Sequence, residues 1–194
     1  MDITYHPLAN ATIDDIKEYP FPKGDDPTRF EGLREQALML KKETPYAVVS
    51  GISGVVYETC WYMRGLEQWM CDLVQQPDFC EALLDQTLKF WFDWFSLFLK
   101  EVGDVVDVIM IGDDLAGQKG PLFSPNIYRR IVKPRQKKLV QYIRSNTKAK
   151  IWYHTCGSCI EYIPDLIDNG IDILDPVQTS AKNMDPEKLK SNFG

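Results

Sequence analysis

Residues 149–177 read AKIWYHTCGSCIEYIPDLIDNGIDILDPV. AKIWYH (149–154) has the β-branched and aromatic make-up of a strand. SCIEYIPDLIDNG (158–170) is spaced as a helix stopped by Gly170, and IDILDPV (171–177) is a further strand. Strand, helix and strand with connections this short form a right-handed βαβ unit, so the two strands lie parallel in one sheet.

The pattern extends toward the N-terminus. DVVDVIMIG (104–112) is a continuous apolar run ending in glycine, as expected of a strand covered on both faces. SPNIYRRIVKPRQKKLVQYIRS (124–145) predicts a helix capped by Ser124, with Pro125 in its first turn and a kink or split at Pro134. YAVVSG (46–51) is a short strand. It is followed by a helical tract from about Leu66 to Val102 that breaks at Pro77. EGLREQALMLKKE (31–43) is helical, and the first 30 residues, rich in turn formers, read as an arm.

Alternating strands and helices define an α/β chain read as a single domain, 1–194. A complete (β/α)8 TIM barrel takes about 250 residues. With four clear strands, the expectation is part of such a barrel, an internal piece lacking strands at both ends. Unpaired sheet edges would then favour a homo-oligomer.

The 194 residues are 44% hydrophobic and carry 22 Lys and Arg against 28 Asp and Glu, a net charge of -6. That balance argues against nucleic acid or an anionic membrane as partner and for a small-molecule ligand. Phe90 to Leu99 is too short to span a bilayer and contains Asp93, and the N-terminus lacks a signal-peptide pattern, so a cytoplasmic location is expected. The five cysteines should be thiols there, with Cys60, Cys71 and Cys80 serving as small buried hydrophobes.

Ligands of parallel α/β folds bind beyond the carboxyl ends of the strands. The residues at those ends are Gly51, Ser53 and Gly54; Asp113, Asp114 and Gly117; His154, Cys156 and Gly157; and Asp175, Gln178 and Ser180. Their convergence points to an enzyme, although loop ends are polar in every α/β protein. His154 and Cys156, two apart on extended backbone, share a face and suit zinc. Cys156 and Cys159 also form a CxxC, so redox chemistry and plain packing stay open. Asp113 and Asp114 point opposite ways, so at most one enters a pocket. The other reading is a cap for the following helix. Tyr62 reads as a core residue with a wet hydroxyl, and Arg64 could meet a carboxylate.

Three stretches, YETCWYMRGLEQWMCDLVQQPDF (57–79), GDDLAGQKGPLFSPNIYRRIVKPRQKKLV (112–140) and residues 153–194 from YHTCGSC to the end, resemble the uroporphyrinogen decarboxylase superfamily. The HxCG strand end and the GDD loop resemble its cobalamin-dependent methyltransferase branch. The resemblance implies a barrel with its pocket at the C-terminal face and zinc (Zn) held by a His-x-Cys pair, here His154 and Cys156, plus a later cysteine beyond Gly194. Cys159 is not at that family position. The implied reaction is methyl transfer between a corrinoid (cobalamin) and a thiol, with the corrinoid as substrate or carried by a partner protein. Asp113, Asp114 and Tyr62 would be catalytic, and Gly51, Ser53 and Gln178 would contact substrate. Tyr62 falls at the position of a functional tyrosine of the decarboxylases, but their arginine-rich RQAGRY-like segment has no match. Uroporphyrinogen decarboxylation and a non-catalytic tetrapyrrole-binding subunit are the alternatives.

Overall fold

A computed structural model describes residues 3–52 and 54–194. The N-terminal arm carries helix α1 (Ile13–Glu18), started by a capping box in which Thr12 and Asp15 exchange hydrogen bonds. A 3-10 turn follows at Pro27–Phe30. Leu8, Ile16 and Phe30 anchor the arm in the core. Arg64 fastens it further: Nη1 donates to the carbonyls of Leu8 and Ala11, while Nε pairs with buried Asp72 at 2.7 Å. That is the carboxylate partner the sequence left unnamed.

Then come α2 (Leu33–Glu43), β1 (Val49–Gly51), α3 (Tyr57–Arg64), α4 (Leu66–Gln75) and α5 (Pro77–Val102). Pro77 opens α5 as expected, since a first-turn residue needs no intrahelical N–H bond. β2 (Val108–Gly112) leads into a two-stranded hairpin, β3 (Ala116–Gly117) and β4 (Gly120–Pro121), too short to show in the sequence pattern. Ser124 caps α6 (Pro125–Ile127), and a π-helical turn at Tyr128–Val132 joins it to α7 (Lys133–Asn146). The split precedes Pro134, which cannot donate to the carbonyl a turn earlier. β5 (Lys150–His154), α8 (Ile163–Asn169), β6 (Ile173–Asp175) and α9 (Pro186–Phe193) complete the order.

Two expectations are corrected. The helix after β5 starts at Ile163, not Ser158, because residues 159–163 form successive turns and Pro164 takes the first helical turn. Cys159 is therefore a loop residue. Cys71 is exposed, since α4 buries Trp69, Asp72 and Leu73 on its other side. Cys60 and Cys80 are buried as expected.

The main sheet is parallel in the order β1-β2-β5-β6 and does not close into a barrel among the described residues. Because spatial order follows chain order, right-handed crossovers place every connecting helix on one face. Ile109, Ile111, Ile151 and Tyr153 point into that helical layer and are buried. The alternate residues, Met110, Trp152 and His154, line the opposite face, as the interior of a barrel would. No described helix is long and apolar enough to cross a membrane.

Candidate metal centre

The register sets Gly112 beside His154 and His154 beside Asp175, one row at the carboxyl ends of β2, β5 and β6. A Cβ on Gly112 would lie 2.7 Å from the Cβ of His154 and 2.5 Å from its carbonyl oxygen, so glycine lets the histidine sit there. Beyond Gly112 the two aspartates diverge. Asp113 is 1% exposed and turns into the helical layer. One of its oxygens accepts from the N–H groups of Tyr57 and Glu58 at the start of α3, at 2.8 and 2.9 Å. The other accepts from the Gln136 amide, which also donates to the Tyr153 hydroxyl. Burial raises the Asp113 carboxyl to about 6, even though these hydrogen bonds favour its charged form.

Asp114 turns the opposite way and accepts from the Cys156 N–H at 2.7 Å. Asp114, His154 and Cys156 form a half-buried cluster whose donor atoms all lie within 4.8 Å of one another. The Cys156 sulfur is 3.4 Å from His154 Nε2. His154 Nδ1 faces Asp175 Oδ2 at 3.2 Å, which orients the ring. Thr155 points away, its Oγ1 accepting from the Leu115 N–H, so extended backbone puts His154 and Cys156 on one side. Gly157, at a left-handed φ of 84°, then lets the chain turn beneath the Ala116 and Gly117 carbonyls.

The electrostatics suit a cation. Burial pushes the Cys156 thiol up, and Asp114, Glu58 and Asp175 push it further. Glu58, 7% exposed, is raised to about 7 by burial and by the two aspartates. The Tyr62 hydroxyl is also raised, first by burial and then by Glu58 and Asp114. Tetrahedral zinc with bonds of about 2.0–2.3 Å holds its ligand atoms roughly 3.3–3.8 Å apart. The His154 to Cys156 separation already has that value, and imidazole, thiolate and carboxylate are zinc donors.

The structure thus brings together His154, Cys156 and one of the two aspartates, Asp114, and gives Asp113 no access to the cluster. Tyr62 lies half-buried on α3, one turn after Glu58, and both side chains stand beside Gly54. Gly51 serves the close approach of β1 to β2: a Cβ there would lie 2.0 Å from the Met110 carbonyl oxygen. Gln178 uses its oxygen to accept from the Gly157 N–H at 2.7 Å, joining the loops after β5 and β6. Ser53 lies outside the described residues. Burial pushes the Cys159 thiol up to about 11, the reverse of what a redox dithiol needs. Sequence reasoning missed Glu58 because it began the helical tract at about Leu66, whereas α3 spans Tyr57–Arg64 and carries Glu58 in its first turn. Its i, i+4 spacing to Tyr62 was the available signal.

A parallel α/β sheet wound in one direction, with an N, S and O donor cluster beyond its strand ends, defines a protein of the barrel class. The sequence pattern of the uroporphyrinogen decarboxylase (URO-D) family matches residues 4–189, and the chain belongs to that family. Among solved structures, a methyltransferase from Methanosarcina mazei shares the fold with a TM-score of 0.61 and 22% sequence identity. The match covers 89% of this chain and 48% of that one, so the chain spans about half the length of that structure. No curated protein matches the chain.

Proposed function

We propose that the chain provides the metal-binding half of a zinc-dependent methyltransferase that moves a methyl group between a corrinoid and a thiol. The observation that carries this reading is the convergence of Asp114, His154 and Cys156 on one point, with Asp175 behind the imidazole. Family membership and the fold shared with a methyltransferase support it. Asp114, His154 and Cys156 would hold a zinc ion, which would supply Lewis-acid chemistry that favours the thiolate form of a substrate thiol. Asp175 would hold the imidazole with Nε2 toward the metal. Asp114 would fix the Cys156 backbone while offering a carboxylate oxygen. Glu58, buried with no cationic partner among the described residues, is suited to take up a proton. The corrinoid would arrive on a partner protein at the strand-end mouth.

Metal analysis of the purified chain tests the proposal. About one zinc per chain is expected, with stoichiometric binding lost in His154→Ala and Cys156→Ser. Methyl transfer from methylcobalamin to a small thiol should follow the metal through the same variants. A metal-free chain, or transfer indifferent to both substitutions, would sink the reading. Tyr62 beside the acidic cluster favours decarboxylation as a second reading, and anaerobic consumption of uroporphyrinogen separates the two.

A further inference from the structure

The three donors of the cluster come from two loops: Asp114 follows β2, whereas His154 ends β5 and Cys156 follows it. The sheet itself places His154. Paired register carries β2 and β5 as far as Gly112 and His154, and one further bond joins the Asp113 N–H to the His154 carbonyl at 3.1 Å. On the other side, the Thr155 N–H donates to the Asp175 carbonyl at 2.9 Å. Asp114 has no such support, because it lies one residue past that last rung, where the chain leaves the sheet for the β3–β4 hairpin.

Two bonds tie Asp114 back to β5, and they form a reciprocal clasp. Asp114 Oδ1 accepts from the Cys156 N–H at 2.7 Å, which leaves Oδ2 for a ligand. The Thr155 hydroxyl oxygen accepts from the Leu115 N–H at 3.0 Å. Thr155 and Leu115 are both 0% exposed, so losing that acceptor would leave a buried N–H unpaired. Thr155 stands between His154 and Cys156, yet its side chain leaves the extended backbone on the opposite side, away from any metal its neighbours hold. We infer that Thr155 is a positioning residue of the metal centre: its hydroxyl fixes the Leu115 N–H and, through it, holds the Asp114 carboxylate beside His154 and Cys156. Valine would match the threonine in shape and in strand preference but offers no acceptor. Serine keeps the acceptor.

Thr155 has this role only if the proposed metal centre exists, and titration of the full chain with Co²⁺ tests the two separately. Binding is read by the near-ultraviolet absorption of the Cys156 thiolate on Co²⁺. Thr155→Val should still melt cooperatively and keep that band, but bind Co²⁺ about tenfold more weakly or worse, as when other outer partners of a metal site are lost. Thr155→Ser should bind as the wild type does. Asp114→Asn keeps an oxygen for the Cys156 N–H while removing the carboxylate. In that background Thr155→Val should cause little further loss of affinity, because two residues that act through one group are not additive. A purely structural threonine would instead weaken binding equally with and without the carboxylate. A wild type that binds no Co²⁺ would sink the metal centre and this role with it. A wild type that binds, with Thr155→Val equal to it, with Thr155→Ser as weak as Thr155→Val, or with an undiminished loss in the Asp114→Asn background, would overturn the role of Thr155 alone.

Discussion

Asp113 and Asp114 are neighbours in sequence yet belong to two regions with opposite physics. On the Asp113 side, one carboxylate collects the N-terminus of α3 and the Gln136 amide, and the tyrosine hydroxyls of Tyr128 and Tyr153 bond to Gln136. Nothing there is open to a ligand. On the Asp114 side, the groups are half-buried and close together, and no Lys or Arg pairs with Asp114 among the described residues, an arrangement whose donor set suits a metal ion. The buried network fixes where β2 ends and α3 begins. The open cluster uses that rigidity to keep its donors near metal-binding distance.

The largest test breaks the buried side. Asp113→Ala leaves two buried backbone N–H groups and the Gln136 amide without their acceptor, and should cost about 3–5 kcal/mol of unfolding free energy in urea.

The next test uses pH to compare the regions. Asp113 and Glu58 hold a proton more tightly folded than unfolded, at about 6 and about 7. Their stabilising contribution is fully present below pH about 4 and is lost as pH rises through those values. The metal-free chain should therefore lose stability between pH 5 and 8 by roughly 3 kcal/mol from Glu58, since each tenfold change in proton affinity is worth about 1.4 kcal/mol. Glu58→Gln should flatten that slope. Bound zinc should flatten it too, because a nearby cation favours the charged carboxylate. A slope of the opposite sign would refute the buried placement of both groups.

Gly112→Ala strikes the junction of the two sides. Its Cβ would press on the His154 backbone and Cβ, and the strands must part, costing about 1–3 kcal/mol on thermal unfolding and weakening zinc binding together.

The smallest effect belongs to the open side alone. Asp175→Asn should lower zinc affinity about 10–100-fold in a chelator competition while leaving the metal-free stability within ~0.5 kcal/mol. Equal losses in both measurements would erase the distinction between the two regions.

Much of the frame was legible in the chain. The Gly170 stop and the Pro77 break follow from local backbone chemistry and lie where they were expected, whereas the strand expected over 104–112 holds only from Val108, because residues 103–107 turn out of α5 with Val105 and Val106 bonded back to the Val102 carbonyl. His154 and Cys156 were legible as a pair because alternation along extended backbone is a local property. Cys71 and the start of α8 were misread, since turn and helix compete closely over residues 158–163 and tertiary packing decides between them. Glu58 had only its i, i+4 spacing to Tyr62 to mark it, since it comes beside the cluster through the folding of α3 back over the strand ends.

The sequence by itself determined the parallel α/β pattern, the family and a His-x-Cys pair at a strand end, all consequences of short-range spacing. Only the tertiary structure decided which aspartate joins that pair, that Asp175 stands behind the histidine, and that Glu58 loses its water beside them. Those outcomes depend on strand register and burial, which arise when segments distant in the chain pack together.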